Sequence, residues 1–315
     1  MQFFGLIDGS EGSLKSFLKN LPTVDQVGAD ARAATLGTRS IKTSSKAWAI
    51  DTAISMVDLT TLEGADTPGK VKALCTKAVR PDPTNSVVPS VGAVCVYNDM
   101  VRIARTHLDE IGGKAVPVAA VSTAFPSGRA SMAVKLQDTQ DAIDAGATEI
   151  DMVIDRGAFL SGRIGEVFEE IVKIKEICGD RAHLKVIFET GELVTYDNVR
   201  KASYLAMLAG ADFIKTSTGK VAPAATPPVV MVMLEAVRDF RDITNHQVGV
   251  KPAGGIRTTK DAIKQLVLVK EVAGTDWLTN KYFRIGASAL LNDLLLQRLK
   301  ITDGYYESPN YVTID

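Results

Sequence analysis

The 315-residue sequence is poor in the residues that build disulfide frameworks and metal sites. Its three cysteines are odd in number and lack CxxC spacing, which argues against both a disulfide framework and a zinc knuckle. Its three histidines are scattered, without a carboxylate or histidine partner at ligand spacing. These residues are Cys75, Cys95, Cys178, His107, His183 and His246. We therefore predict a protein without a metal, from a reducing compartment.

The sequence also lacks an excess of either charge and a long apolar run. Lysine and arginine number 36 against 37 aspartate and glutamate, so there is no global electrostatic reason to hold nucleic acid or an acidic membrane. No stretch approaches the roughly 18 apolar residues of a membrane span. Residues 1–8 have no basic region and do not look like a secretory signal. We expect a cytoplasmic protein with no nucleic-acid or membrane partner.

What the chain does contain, from about residue 50 onward, is a regular alternation of short apolar runs and longer amphipathic segments. The predicted strands are residues 54–59, 92–97, 116–125, 149–154, 184–189, 213–216, 248–252 and 283–286. Predicted helices at 129–145, 165–178 and 198–209 are each followed by a glycine, which commonly ends a helix. Eight such pairs predict an α/β fold, a (β/α)8 TIM barrel, over residues 47–300.

Residues outside the predicted barrel form two short segments. Residues 1–46 include a short amphipathic stretch at 14–19, and we interpret them as an N-terminal helical extension that packs on the barrel as a cap or lid. Residues 301–315 form a polar tail with the tyrosines Tyr305, Tyr306 and Tyr311.

Three charged residues lie within or at the end of the predicted strands. Lys215 and Lys251 close two apolar runs, and Asp151 lies inside a third. Active sites of these barrels form at the C-terminal ends of the strands, and strands six and seven are neighbours. Burial and a nearby ammonium both lower the pKa of a lysine, as an amine nucleophile requires. We therefore expect the three residues to share one pocket, although the lysines could instead extend to solvent and Asp151 could form a structural ion pair.

Glycine-bearing segments follow three of these strands, at residues 217–220, 253–257 and 286–288. Glycine allows backbone N–H groups to approach an anion, and the loops after strands seven and eight commonly hold phosphate in this fold. A phosphorylated substrate is therefore predicted, although such turns often use glycine for other reasons. The Gly219-Lys220 pair has neither the spacing nor the hydroxyl residue of a Walker A loop, and no dinucleotide fingerprint is present. No cofactor is predicted.

Taken together, these segments resemble the signature motifs of the 2-deoxyribose-5-phosphate aldolase family. The two most specific are FIKTSTGK at 213–220 and GVKPAGGIRT at 249–258. Shorter matches lie at residues 58–62, 93–97, 149–151 and 190–193, in order, so that the resemblance covers about residues 50–295. The long N-terminal segment is more similar to animal members than to the compact bacterial ones.

The resemblance implies metal-independent, reversible cleavage of 2-deoxy-D-ribose 5-phosphate to acetaldehyde and D-glyceraldehyde 3-phosphate. It implies that Lys215 forms the imine, that Lys251 lowers its pKa, and that Asp151, bonded to Lys251 and a water, relays protons. Cys95, Asp58 and Thr60 would contact the substrate or support residues that do. Cys95 could equally be a plain core residue. The residues expected at the phosphate are Gly219, Lys220, Gly254, Gly255, Arg257, Gly286 and Ser288.

The sequence departs from the family pattern at Asn98, Ala224 and Ala289, where the family often has proline, asparagine and serine. None of these positions touches the lysine pair, so they bear on rate and affinity more than on the type of reaction. Bacterial members use a C-terminal tyrosine in proton transfer, for which the three tail tyrosines are the candidates. Two alternatives remain open, another Schiff-base barrel aldolase and a catalytically silent binding scaffold. A homo-oligomer is also compatible with the sequence.

Overall fold

A computed structural model describes residues 4–305, 307–308 and 312. Eight parallel strands are arranged in the order β7-β6-β5-β4-β3-β2-β1-β8. The strands are β1 Val57–Thr60, β2 Ala93–Val96, β3 Val118–Ser122, β4 Glu149–Val153, β5 His183–Ile187, β6 Phe213–Lys215, β7 Gly249–Lys251 and β8 Ile285–Ala287. All eight overlap the strands predicted from the sequence.

The first and last strands of this order meet and close the sheet. The backbone N–H of Arg284 donates to the carbonyl oxygen of Val250 at 3.1 Å, and that of Gly286 donates to Pro252 at 2.9 Å. These bonds join β7 to β8, and β8 in turn pairs with β1. The predicted (β/α)8 barrel is therefore confirmed.

Helices surround the barrel and connect successive strands. They are α1 Glu11–Lys19, α2 Gln26–Gly37, α3 Thr43–Met56, α4 Pro68–Val79, α5 Val101–Glu110, α6 Met132–Asp144, α7 Arg156–Leu160, α8 Ile164–Cys178, α9 Tyr196–Leu208, α10 Pro227–Thr244, α11 Thr259–Val272 and α12 Leu290–Asp303. Helices α6, α8 and α9 lie where the sequence predicted helices, and the predicted glycine follows the last turn of each. None of the described helices is long and apolar enough to cross a membrane.

The start of β1 differs from the prediction. Residues 54–56 end helix α3, and β1 begins at the next residue, Val57. Ile54 and Met56 are fully buried in the helix and Val57 in the strand. Periodicity cannot separate a buried strand from a buried helical turn, so the apolar run was assigned entirely to the strand. Helix α3 thus crosses the predicted boundary at residues 46 and 47, and α12 continues past residue 300.

The N-terminal helical extension predicted from the sequence is present and packs on the outer helices of the barrel. Helix α2 contacts α10 and α11, and α1 contacts α8 and α9. Arg32 of α2 forms an ion pair with Glu235 of α10, to which Arg200 of α9 also bonds at 3.2 Å. The extension therefore lies against the side of the barrel.

One glycine at the N-terminal end of β7 makes room for an aromatic ring inside the barrel. A Cβ atom at Gly249 would lie 2.3 Å from the ring of Phe213, its register partner on β6. Beside it, the buried indole N–H of Trp277 donates to the carbonyl oxygen of Val248 at 3.0 Å. These contacts fix the strand that carries Lys251.

Candidate active site

The strand register brings the predicted lysine pair together inside the barrel. Lys215 is the register partner of Lys251 across β6 and β7, and Asp151 is the partner of Lys185 across β4 and β5. Side chains alternate between the two faces of a strand, so that residues level with one another point the same way. Lys251, Lys185 and Asp151 are fully buried, and Lys215 is nearly so.

Asp151 joins three lysine ammonium groups. Its Oδ2 atom lies 2.7 Å from the Nζ atom of Lys215 and 2.7 Å from the Nζ atom of Lys251. Its Oδ1 atom lies 2.9 Å from the Nζ atom of Lys185. The predicted pocket shared by Lys215, Lys251 and Asp151 is therefore present, and the contact between Asp151 and Lys251 is direct.

The contacts continue beyond Asp151 into a larger buried network. Lys251 Nζ lies 2.5 Å from Asp58 Oδ2, and Lys185 Nζ lies 2.5 Å from Glu149 Oε2. Arg284 bridges these two carboxylates, with 2.7 Å to Asp58 Oδ1 and 3.0 Å to Glu149 Oε1. We call these seven residues the charged cluster: Asp58, Glu149, Asp151, Lys185, Lys215, Lys251 and Arg284.

The sequence reasoning missed Lys185, Glu149 and Arg284. A signal for them exists, since Glu149 stands two residues before Asp151 on the same strand and therefore points into the barrel as well. Lys185 lies within the buried strand β5, as Lys215 lies within β6. A charged residue inside a buried strand requires a partner, and this rule applies to Glu149 and Lys185. Arg284 stands just before β8.

Within the charged cluster, Lys215 differs from the other lysines in its protonation. Burial lowers the pKa of Lys215, and the Lys251 ammonium lowers it further against the opposing attraction of Asp151. Burial acts on Lys185 and Lys251 too, but Asp151 and a second carboxylate raise the pKa of each above its ordinary value. When the Lys215 amine is neutral, the three carboxylates of the cluster balance its three remaining cations.

Burial also opposes the charged form of Asp151, yet the three ammonium groups around it hold the pKa of this carboxyl well below its usual range. Asp151 is therefore a carboxylate throughout the neutral range. It can accept hydrogen bonds and pass protons between its neighbours, but a proton resides on it only briefly.

A cavity of about 370 Å³ opens above the cluster at the C-terminal ends of the strands. Of the seven cluster residues, Lys215 alone lines it, so that the amine with the lowered pKa is the one that a substrate reaches. Its walls also contain Thr60, Gly219, Lys220, Gly254, Gly255, Arg257, Gly286 and Ser288, all predicted to contact substrate. The sequence reasoning missed four polar residues of the lining: Thr61, Glu63, Lys70 and Thr218.

The remaining predicted contacts lie deeper. Asp58 is fully buried and bonded to Lys251 and Arg284, below the cavity. Cys95 is fully buried among Leu62, Ala119 and Val121, and burial raises the pKa of its thiol. Asp58 therefore supports Lys251 from below the cavity. Cys95 has the surroundings of the core residue that was its alternative interpretation.

Two features of the glycine-bearing loops suit close approach of a ligand. Gly219, Gly254 and Gly255 have φ angles of 82°, 82° and 84°, in the left-handed region that favours glycine. At Gly286 a Cβ atom would lie 3.2 Å from the Cε atom of Lys251. A side chain at Gly286 would therefore crowd the lysine pair.

The loop after β6 is held by a carboxylate that the sequence reasoning did not identify. Glu189, which follows β5 and has a left-handed φ of 55°, accepts hydrogen bonds from the backbone N–H and the hydroxyl of Thr218. Burial raises the pKa of Glu189, while the bonds from Thr218 favour its charged form. Glu189 thus fixes the start of the segment that carries Gly219 and Lys220.

The tail contributes one described tyrosine, Tyr305, which is exposed. Tyr306 and Tyr311, the other two candidates for proton transfer, lie outside the described residues. Across residues 4–305, 307–308 and 312, no three His, Cys, Asp or Glu side chains come together in a way that could hold a metal ion. All three cysteines are free and buried.

Comparison with known proteins decides the family. A model of the DeoC/LacD family aldolases matches residues 52–295. The chain belongs to this aldolase family. It is 45% identical to a deoxyribose-phosphate aldolase of Mus musculus, over 85% of this chain and 86% of the mouse protein. The corresponding Homo sapiens protein is also 45% identical, over 82% and 83% of the two chains.

Solved structures agree on the fold of this family member. A Toxoplasma gondii structure aligns with a TM-score of 0.71 at 23% identity, over 84% of this chain and 98% of that chain. An Aeropyrum pernix structure aligns with a TM-score of 0.64 at 24% identity, over 88% and 99%. The predicted resemblance, including its animal-type relatives, is confirmed, and the protein is an aldolase, a carbon–carbon lyase.

Proposed function

We propose that this aldolase cleaves 2-deoxy-D-ribose 5-phosphate reversibly to acetaldehyde and D-glyceraldehyde 3-phosphate, through an imine on Lys215. One observation carries the proposal. Among the lysines of the charged cluster, Lys215 alone has a lowered pKa and alone reaches the cavity. Relatives at 45% identity are named deoxyribose-phosphate aldolases, which supports the choice of substrate.

The first chemical step is imine formation. The neutral amine of Lys215 adds to the aldehyde carbon C1, and loss of water from the carbinolamine gives a protonated imine. Desolvation of a lysine beside another cation is a recognised way to keep the amine neutral. The amine that attacks therefore owes its reactivity to burial first and to Lys251 second.

Carbon–carbon cleavage follows from the electron demand of the imine. A base removes the proton from the C3 hydroxyl, the C2–C3 bond breaks, and its electron pair moves toward the imine nitrogen. D-glyceraldehyde 3-phosphate leaves and an enamine remains on Lys215. Protonation at C2 and hydrolysis release acetaldehyde and restore the amine. Asp151, bonded to both lysines at 2.7 Å, carries protons through these steps together with a water.

The phosphate group binds at the glycine-bearing loops that line the cavity. Gly219, Gly254 and Gly255 offer backbone N–H groups, and Ser288 stands just before helix α12, whose N-terminus favours an anion. Lys220 and Arg257 add positive charge. Binding energy from this remote group positions the aldehyde carbon against Lys215.

Borohydride reduction in the presence of acetaldehyde tests the proposal. Reduction should fix an ethyl group on Lys215, located by peptide mass mapping, and Lys215→Met should abolish both the label and the cleavage. Lys251 serves as the internal control, because its raised pKa keeps it charged and unlabelled. A label on another lysine in the wild-type protein would contradict the assignment of the nucleophile.

The second candidate function is that of another Schiff-base barrel aldolase acting on a keto acid. Trapping with pyruvate in place of acetaldehyde distinguishes the two, because only an aldolase of the second kind should become labelled efficiently. A silent scaffold would show neither label. The cytoplasmic location, the absence of nucleic-acid partners and the homo-oligomer stay predictions from the sequence.

A further inference from the structure

We propose that Glu63 is an internal competitor for the phosphate group of the substrate, a carboxylate that holds the Lys220 ammonium in the free enzyme and yields it when phosphate binds. The inference rests on the proposed function, because it assigns Lys220 to phosphate recognition. It makes Glu63 a positioning residue that sets the affinity of the cavity for phosphorylated ligands.

The geometry places the two residues across the mouth of one cavity. Lys220 Nζ lies 2.8 Å from Glu63 Oε1. Lys220 belongs to the loop after β6, and Glu63 belongs to the loop after β1, 157 residues earlier in the chain. Both line the cavity together with Gly254 and Ser288. The ammonium group expected to meet the phosphate is therefore already paired with a negative group at the same place.

Asp66 fixes the conformation of the loop that carries Glu63. The Asp66 carboxylate accepts hydrogen bonds from the Thr61 hydroxyl at 2.7 Å and from the Glu63 backbone N–H at 2.9 Å. It also binds Lys70 Nζ at 2.8 Å. These three contacts shape the turn and fix the backbone of Glu63. The Glu63 carboxylate is therefore held within reach of Lys220.

The two lysine pairs of this cavity differ in how easily they separate. Asp66 is 4% exposed and makes three contacts, so Lys70 keeps its partner. Glu63 is 64% exposed, and Lys220 is 33% exposed. An ion pair this exposed is worth little, and a phosphate group carries up to about twice the charge of one carboxylate. Phosphate can therefore displace Glu63 from Lys220 at a small cost.

Titration with inorganic phosphate tests the inference without requiring turnover. By isothermal calorimetry at low ionic strength, Glu63→Gln should bind phosphate about two- to five-fold more tightly than the wild type, the range expected for removing an exposed ion pair. The gain should shrink as salt is added, because salt screens exposed charges. In a Lys220→Met background, Glu63→Gln should give a smaller gain, because only the direct repulsion between Glu63 and the phosphate is then relieved.

A matched variant controls for the change in net charge. Glu169 forms an exposed pair with Lys173 on α8, with exposures of 60% and 41%, and it does not line the cavity. Glu169→Gln removes the same charge and should leave phosphate affinity unchanged. In steady-state assays, Glu63→Gln should lower KM for 2-deoxyribose 5-phosphate by the same factor and leave KM for 2-deoxyribose unaltered.

Unchanged or weaker phosphate binding by Glu63→Gln, or an equal gain in the Lys220→Met background, would overturn the inference. So would a gain of equal size in Glu169→Gln. A wild type that binds phosphate as expected but gives no borohydride label with acetaldehyde would overturn the proposed function while the role of Glu63 stands. The two proposals can therefore fail separately.

Discussion

Lys215 and Lys251 are register partners on adjacent strands, and both ammonium nitrogens lie 2.7 Å from the same oxygen of Asp151. The shared oxygen places two groups that repel one another around one that attracts both. Among the described residues, Lys251 has a second carboxylate, Asp58, at 2.5 Å, whereas Lys215 has Asp151 alone. This asymmetry explains why the pKa of Lys251 is raised while that of Lys215 is lowered, and it is the reason why Lys215 is the proposed nucleophile.

Asp151→Asn should separate imine formation from turnover. Asp151 raises the pKa of Lys215, so its removal should lower that pKa and enlarge the neutral fraction of the amine. Borohydride trapping with acetaldehyde should persist, while the rate of cleavage should fall at least about 100-fold through loss of the proton relay. Circular dichroism checks that the variant is folded. Loss of trapping in a folded variant would contradict the assigned roles.

Lys251→Leu should move the pH dependence of activity upward. Lys251 lowers the pKa of Lys215, and its removal also leaves the attraction of Asp151 unshared. Loss of the repulsion from Lys251 and a stronger attraction to Asp151 both raise the pKa of Lys215. The neutral amine therefore becomes available only at higher pH. The acidic limb of kcat/KM, or labelling of Lys215 as a function of pH, measures the shift. An equal pKa in both proteins would mean that Lys251 acts in proton transfer or hydrogen bonding with Asp151 instead.

Ser288→Ala should discriminate between substrates that differ only in phosphate. Ser288 lines the cavity just before the N-terminus of α12, and we expect it to lie remote from the bond that breaks. The loss in kcat/KM should be about 10- to 150-fold for 2-deoxyribose 5-phosphate, from the loss of one hydrogen bond to a charged group, and small for 2-deoxyribose. An equal loss for both substrates would show that Ser288 does not recognise the phosphate. Arg257→Ala should behave in the same way.

The fold and the lysine pair were accessible from the sequence because they depend on local patterns. Apolar runs alternating with amphipathic segments predict the barrel, and barrel topology makes strands six and seven neighbours. The position of Lys215 beside Lys251 follows from these two facts. The first residue of β1 could not be predicted from the sequence, because Ile54 of helix α3 and Val57 of β1 belong to one continuous apolar run.

Most of the charged cluster depends on contacts that sequence reasoning cannot supply. Arg284 and Asp58 are 226 residues apart, and they meet only because β8 pairs with β1. Glu63 and Lys220 likewise meet across the cavity mouth from loops on different strands. A lone arginine before a strand or a glutamate in a loop does not identify its partner. These pairs are determined by the closed barrel and by the directions in which the side chains extend from its strands and loops.

Arg284→Met should reveal how much the fold depends on the cluster. The buried guanidinium bonds Asp58 and Glu149, each of which has one further partner, Lys251 or Lys185. Without Arg284 the charged cluster has one carboxylate more than its two remaining cations when Lys215 is neutral. Removing one partner of a buried ion pair typically costs about 3–5 kcal/mol, because a buried charge is left without compensation. We expect a loss of this size in the free energy of unfolding, measured by chemical denaturation.

The matched control for this prediction is Arg181→Met, which removes an exposed arginine paired with Asp144 at 2.9 Å. An exposed pair contributes little to stability, so this variant should unfold almost as the wild type does. A similarly small loss for Arg284→Met would mean that Lys251 and Lys185 alone compensate Asp58 and Glu149. In that case the variant should also keep the acidic limb of its kcat/KM profile. With the larger loss, the three carboxylates of the charged cluster outnumber its two remaining cations, so the pKa of Lys215 should rise and the acidic limb should move to higher pH.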